Sequence, residues 1–466
     1  MTPIQHRGEE KSNAVRATIT QREPIALRTF TPTQAVLAKS AGIYHWTAEG
    51  RQLYDFSSGV LVANLGHNPT RWFQRFIQYM QWPAKICGGI TAKADEYLEA
   101  VALTAYNAMT PIEAEASERL VKNIQSWPGG RRLDTVMWAA SGSEAVQKAL
   151  WACLHRDEKR DLILATRFGF HGKKGLAGAV TGSEKDHDRD PRVKFISFPM
   201  QEVDDVSKYG QAIDLAPYQQ ELEGLWKEYG SRLNCLITEP YLGGGGSFHP
   251  PAAYLQMLEQ FCRQHDILFI LDEVQANFGR TGRMYAFEAY GLEPDFVVLG
   301  KGLGNGIAVS ATVGRGDIMS SLKYGEASDT WSANPVSCAS VLATLDEFES
   351  TDILAHTRRL TPLFFEGLNR LKATGLVVKV RGEGLVFGIQ CAPFGKLSDK
   401  EVATKIVAAC YLGRGDIGIH LLGALAGNVI RISPPMVITE QQTKESLQLF
   451  VEIVQSLAKQ LAGDSK

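Results

Sequence analysis

Along the chain, short unbroken runs of large apolar residues alternate with stretches in which apolar residues return every three or four positions. The first pattern predicts buried strands and the second amphipathic helices. Runs at 135–139, 162–165, 193–198, 234–239, 267–271, 296–299 and 309–313 read as strands. Helical spacing covers 69–80, 92–107, 113–125, 145–154, 219–229, 251–265 and 334–349. Strands and helices taken in turn predict an α/β protein with a parallel, doubly wound sheet. Ahead of this region, GIYHWTAEGRQLYDFSSG alternates apolar and polar residues around the turn Ala48-Glu49-Gly50, which predicts a hairpin and then a loop over 57–69. Residues 1–30 are polar with little periodicity and read as a tail, or as an arm lying on a partner surface. Residues 204–218 read as loop. From about 352 a second region begins. It has a helix to 373, two strand-like runs around RGEG within 377–390, a helix over 399–411, and VIRISPP leading to a last amphipathic helix.

Two of the predicted strands end on reactive groups. The run at 267–271 stops at Asp272-Glu273, and the run at 296–299 stops at Gly300-Lys301-Gly302. Ligands of open α/β sheets sit at the carboxyl ends of the strands, so an acid and an amine face one crevice. A buried lysine forms Schiff bases with aldehydes, and a carboxylate can hold a pyridine nitrogen protonated; pyridoxal phosphate needs both. Taken alone, the pair leaves open that Asp272 caps a turn and that Lys301 is a solvated strand end.

The segment DTVMWAASGSEAVQKALWACLHR is a strand, a small-residue turn and a helix, whose first amides form an anion site with the Ser141 and Ser143 hydroxyls beside it. Plain capping, with Ser143 starting the helix, is the other reading. Neither GxxxxGK[ST] nor GxGxxG spacing is present. Phe170-His171-Gly172 places an aromatic at a turn, either to stack on a flat ring or simply to lie at the surface.

Composition narrows the class. The 466 residues hold 49 basic and 51 acidic side chains, a formal charge of −2 that gives no reason to expect nucleic acid or an anionic membrane as partner. Seven scattered cysteines (Cys87, Cys153, Cys235, Cys262, Cys338, Cys391, Cys410) never form a CxxC, which suggests reduced, buried thiols, no metal and a cytoplasmic protein. No apolar run reaches membrane-spanning length, and the polar start lacks a secretion signal.

The ordered set SGSEA, FHG, EPYLGGGG, LDEVQ, GRTG, PDFVVLGKGLGNG, DTWSANP and RISPPMVIT resembles the class III aminotransferases. These pyridoxal-phosphate enzymes of fold type I include ornithine, acetylornithine, 4-aminobutyrate and ω-amino acid aminotransferases. The resemblance runs from about residue 40 to 455. It implies a large domain with a mostly parallel seven-stranded sheet (81–345) and a smaller α+β domain built from both termini (1–80 with its arm, and 346–466). Lys301 then matches the lysine that holds the cofactor and shuttles a proton. Asp272 matches the acid at the pyridine nitrogen, Val274 and Phe170 the residues on the two ring faces, and Gln275 a neighbour of the ring hydroxyl. Ser141, Gly142 and Ser143 match the phosphate turn, with His171 beside the ring. Thr330 matches a threonine reaching the neighbouring subunit's phosphate, which implies a homodimer with shared sites. Arg431 matches the grip on the substrate carboxylate, and Glu239 an acid that pairs with that arginine when an ω-amine binds. A buried ion pair joining two domains is the alternative for these two.

The sequence departs from the common pattern at Tyr241-Leu242 and its four following glycines, and around GHNPTRWFQRFIQYM. Val60, Tyr241 and His171 suggest an apolar-lined entrance. The expected activity is ping-pong transfer of an amino group from an ω-amine or amino acid, through pyridoxal and pyridoxamine, to a 2-oxo acid. Decarboxylation or an amino shift on the same scaffold would use the same residues.

Overall fold

The computed structural model describes residues 3–83, 88, 93–186, 189–424 and 426–464. Seven strands form the central sheet in the order Thr135–Ala139, Ser310–Gly314, Phe296–Leu299, Leu268–Asp272, Leu233–Thr238, Leu162–Thr166 and Val193–Ile196. Every pairing is parallel except those of Ser310–Gly314, which runs antiparallel to both neighbours. Strands such as Leu268–Asp272 and Phe296–Leu299 are buried along their whole length. Helices cover both faces of such a sheet, which explains runs without alternation.

Two smaller sheets flank the large one. One has the order Lys39–Ala41, Tyr44–Trp46, Gln52–Asp55 and Ile417–His420. The expected hairpin is its centre, and Ile417–His420 adds in parallel from the far end of the chain, Ile417 opposite Gln52 and His420 opposite Asp55. The other joins Val377–Glu383, Val386–Cys391 and Val429–Ile432. Helices Ile353–Asn369, Asp399–Leu412 and Glu440–Asp464 pack in this smaller domain. Among the described residues no helix is long and apolar enough to cross a membrane.

Three expectations are corrected. The polar N-terminus contains a helix, Glu10–Arg22, anchored by polar contacts: Arg16 donates to Glu9 at 2.6 Å and to the Tyr411 hydroxyl at 2.9 Å, and the Ser12 amide and hydroxyl both donate to Glu49. Over 92–107, Ala92 lies outside the described residues and the rest is irregular, with Tyr97 88% and Leu103 61% exposed. Helix-forming residues whose apolar side chains meet no packing surface in this chain do not hold a helix. In 204–218, a short 3-10 turn (Val206–Lys208) precedes a helix that already begins at Ala216. Cys87 lies outside the described residues, and the other six cysteines are free and buried.

Within the loop over 57–69, Ser58, Gly59, Val60 and Leu61 all have left-handed φ, between 49° and 68°. Left-handed conformations cost non-glycine residues roughly 1–2 kcal/mol each, so the turn must be held from outside. Asp55 Oδ1 accepts from the Ser57 amide and hydroxyl, both at 2.7 Å, and from the Ser58 amide at 3.1 Å. Ser58 Oγ donates to the Ser433 carbonyl at 2.7 Å. Arg280 holds the other side: fully buried, it donates to the carbonyls of Leu385 and Pro434, to Ser58 Oγ and to Asn64 Oδ1.

Candidate active site

Asp272 is the last residue of its strand and pairs with Val298, three residues before Lys301, so the sheet delivers both groups to one edge. The neighbouring Glu273 turns away. Its carboxylate accepts the Ala286 and Phe287 amides at 2.6 and 2.7 Å, and burial pushes it up to about 8. Of the two acids that end the strand, only Asp272 faces the crevice. Lys301 has left-handed backbone, φ 47°, and is half-buried. Burial lowers its amine to about 8; the Asp272 and Glu239 carboxylates oppose this and the Arg431 guanidinium adds to it. Those influences couple the Lys301 amine electrostatically to Asp272, Glu239 and Arg431.

Asp272 is fixed on both oxygens. Oδ2 lies 2.7 Å from His171 Nδ1, both side chains buried, and Oδ1 accepts the Val274 amide at 3.0 Å. His171 therefore orients the acid, and its buried Nε2 has no hydrogen-bond partner among the described residues. Phe170 remains 39% exposed, and its amide donates to Glu239 Oε1 at 3.0 Å.

Glu239 and Arg431 are both buried, but they do not pair with each other. Glu239 spends its second oxygen on the Gly243 amide at 3.1 Å. Arg431 Nη1 donates instead to Gln275 Oε1 at 2.6 Å, leaving its buried Nε without a partner among the described residues. The reason is the glycine loop: a side chain on Gly243 would stand 2.5 Å from Gln275 Oε1, and without one the loop closes over Gln275 and turns an amide to Glu239. Burial pushes Glu239 up to about 7; His171 and the two amides hold it back, and Asp272 raises it further. Arg431 is lowered by its own burial against the pull of Tyr241 and Glu239.

The entrance also differs from expectation. Tyr241 is buried, stacked on His249 with centroids 4.3 Å apart, and its hydroxyl donates to the Gln275 carbonyl at 3.2 Å. With His171 buried too, Val60 alone of the three is exposed, at 37%. Tyr241 supports the Gln275 segment from behind. Arg381, which the sequence reading did not single out, supports the glycine loop: it donates to the Gly246 carbonyl at 2.8 Å and stacks on Phe248. Its only signal in the sequence is a charged residue inside an apolar strand pattern.

The aminotransferase class-III family model matches residues 26–454. The chain belongs to this family. An acetylornithine aminotransferase from Caldanaerobacter subterraneus subsp. tengcongensis is 28% identical over 447 residues, 94% of this chain and 99% of that protein. A leucine/methionine racemase from Thermococcus litoralis is 27% identical over 94% of each chain. The fold matches that of an amine transaminase from an uncultivated Pseudomonas species in its PLP-bound form, with TM-score 0.75 and 23% identity over 94% of this chain and 97% of that one.

As a class-III aminotransferase the protein depends on pyridoxal phosphate, and its residues fit that group. The Gly142–Arg156 helix opens with a capping box in which Ser141 Oγ accepts the Glu144 amide and Glu144 accepts the Ala140 and Ser141 amides. Ser141, rather than Ser143, is thus the cap, and its oxygen is already engaged. Gly142 and Ser143 head a helix of 15 residues, whose first amides lack intrahelical acceptors and suit a phosphate. Bare backbone lines the approach. A Cβ on Gly142 would come within 3.1 Å of Val274, one on Gly300 within 3.4 Å of the same side chain, and one on Gly172 within 2.5 Å of Ser143 Oγ. Val274 therefore packs between the helix turn and the backbone before Lys301. Thr330 lies apart from this cluster, exposed beside Asp329, whose carboxylate pairs with Lys148 at 2.7 Å.

Proposed function

We propose that this class-III aminotransferase takes an amino group from an ω-amine or amino acid and passes it to a 2-oxo acid such as 2-oxoglutarate or pyruvate, in two half-reactions at one site. The observation behind this reading is a lysine at the end of the strand beside that of a fixed carboxylate, its amine lowered to about 8 and coupled to that carboxylate and to a buried guanidinium. Pyridoxal phosphate, when bound, supplies the aldehyde and an electron-withdrawing ring. Lys301 anchors it and, once released, takes a proton from the substrate carbon and returns one on the other side of the reaction; an amine near 8 is suited to both directions near neutral pH. Asp272, oriented by His171, keeps negative charge at the ring nitrogen. Gly142 and Ser143 bind the phosphate, with Val274 and Phe170 against the ring.

Arg431 binds the substrate carboxylate through its planar fork. Held by the neutral Gln275, it keeps its charge for that task. Glu239 pairs with it when the substrate lacks a carboxylate, which requires the Phe170 and Gly243 contacts to loosen. The protein works as a homodimer, with Thr330 reaching the partner's phosphate; the large apolar surface of its neighbour Trp331, 61% exposed, supports an interface there. Six buried free thiols support a cytoplasmic setting.

Adding an amino donor alone to the holoenzyme should convert the absorbance of the cofactor's aldehyde form to that of its amine form, and a 2-oxo acid should reverse it. An unchanged spectrum with every donor tried would refute transamination. Carbon dioxide release, racemisation or an amino shift without acceptor would instead favour the lyase or isomerase reading, for which the racemase relative is the observation.

A further inference from the structure

Away from the pocket, three histidines gather around the aspartate that holds the left-handed turn. His420 lies opposite Asp55 in the parallel pairing of their strands, and His45 comes from the adjoining strand. His45 Nε2 stands 3.4 Å from Asp55 Oδ2, and one donor atom from each of His45, Asp55 and His420 falls within 4.8 Å of the others. His67 Nε2 lies 2.7 Å from the same carboxylate oxygen. The hydrogen bonds do not use up this cluster. His45 is 97% buried and spends Nδ1 on Ser40 Oγ at 2.7 Å, while its Nε2 and the buried Nδ1 of His420 have no hydrogen-bond partner among the described residues.

Two donors on one tetrahedral ion, each about 2.0–2.2 Å from it, stand roughly 3.3–3.5 Å apart. The His45–Asp55 separation of 3.4 Å is of that size, and His45 Nε2 makes no hydrogen bond across it. We propose that His45 Nε2, Asp55 Oδ2 and a ring nitrogen of His420 form a site for a divalent transition-metal ion, Zn2+ being the ion this donor set suits.

The surroundings are those of a ligand set. Ser40 fixes the His45 ring from its far side, and His67 steadies the carboxylate, the supporting hydrogen bonds that metal ligands receive. The site is structural: it ties the hairpin and the Ile417–His420 strand to the carboxylate whose other oxygen secures Ser57 and Ser58.

The test uses the holoenzyme, purified without a metal-binding tag and dialysed against a chelator. Titrated Zn2+ should bind at one equivalent per chain. At about 100 times its dissociation constant it should shift the unfolding equilibrium about 100-fold, raising Tm. His45→Asn and His420→Asn should each lose that equivalent and the Tm response. Co2+ in place of Zn2+ should give the visible absorption of a tetrahedral ion, a readout on the wild-type chain that stands even if a variant fails to fold. A wild-type protein with no Zn2+-dependent Tm rise and no such Co2+ absorption, or folded variants that bind as well as wild type, would overturn the site. The cluster would then be held by protons alone.

Discussion

Arg431 Nη1 meets Gln275 Oε1 at 2.6 Å, so a neutral amide, not a carboxylate, holds the buried guanidinium in place. An arginine already neutralised by an acid would have little left for a substrate carboxylate, whereas this one keeps its charge. Arg431→Ala should raise KM for carboxylate-bearing donors and acceptors about tenfold to a hundredfold, the equivalent of losing about 1.5–3 kcal/mol of charged hydrogen bonding. Turnover of a simple amine in the first half-reaction should change little. Steady-state kinetics on matched donors with and without a carboxylate check this; equal losses on both would make Arg431 a structural residue.

Lys301 should be indispensable to chemistry but not to folding. Lys301→Ala should reduce turnover by at least about a thousandfold while the circular dichroism spectrum is retained. In the cofactor-free protein the amine is a cation below about 8 and nucleophilic above it, since burial lowers its value from the ordinary lysine range. The rate of pyridoxal phosphate uptake, followed by absorbance, should therefore rise with pH through about 8 and level off beyond. A flat profile between pH 6.5 and 9 would contradict the placement of the amine.

Gly172 has φ 150° and no room for a side chain beside Ser143 Oγ. Gly172→Ala should push Ser143 out of the phosphate turn and weaken cofactor binding about tenfold or more, with a smaller effect on KM for the amino donor. Dialysis followed by measurement of retained cofactor distinguishes this from general destabilisation.

Arg280 donates four hydrogen bonds while fully buried, none of them to a carboxylate. Arg280→Met keeps much of the volume but leaves several buried acceptors unmet, at about 1–3 kcal/mol each. Denaturant unfolding should show a loss of about 3 kcal/mol or more. An unchanged midpoint would mean that water replaces the guanidinium.

The strands of the central sheet and their reactive ends were readable because burial on both faces forces continuous apolar runs, and a charge at the end of such a run stands out. Asp272 and Lys301 meet at one sheet edge for that reason. The Glu10–Arg22 helix was not readable, because it buries Ser12 and Arg16 in place of an apolar stripe. The misread stretch at 92–107 has helical composition, and composition does not say whether a partner surface exists. The partners of Glu239 and Arg431 depend on how closely a glycine loop approaches Gln275, a three-dimensional distance with no counterpart in spacing. Likewise His45, His67 and His420 are scattered along the chain and meet only because the last of them joins a strand laid down far earlier.

That late strand has a consequence for how the protein is made. Gln52–Asp55 leaves the ribosome first, but its parallel neighbour Ile417–His420 follows only after all seven strands of the central sheet have been translated. Until then one rim of the first sheet lacks its hydrogen-bonding partner, the kind of open edge on which nascent chains stick together. The first sheet is finished only once His420 has been made, and a ribosome stalled before codon 417 would hold a product that cannot close it.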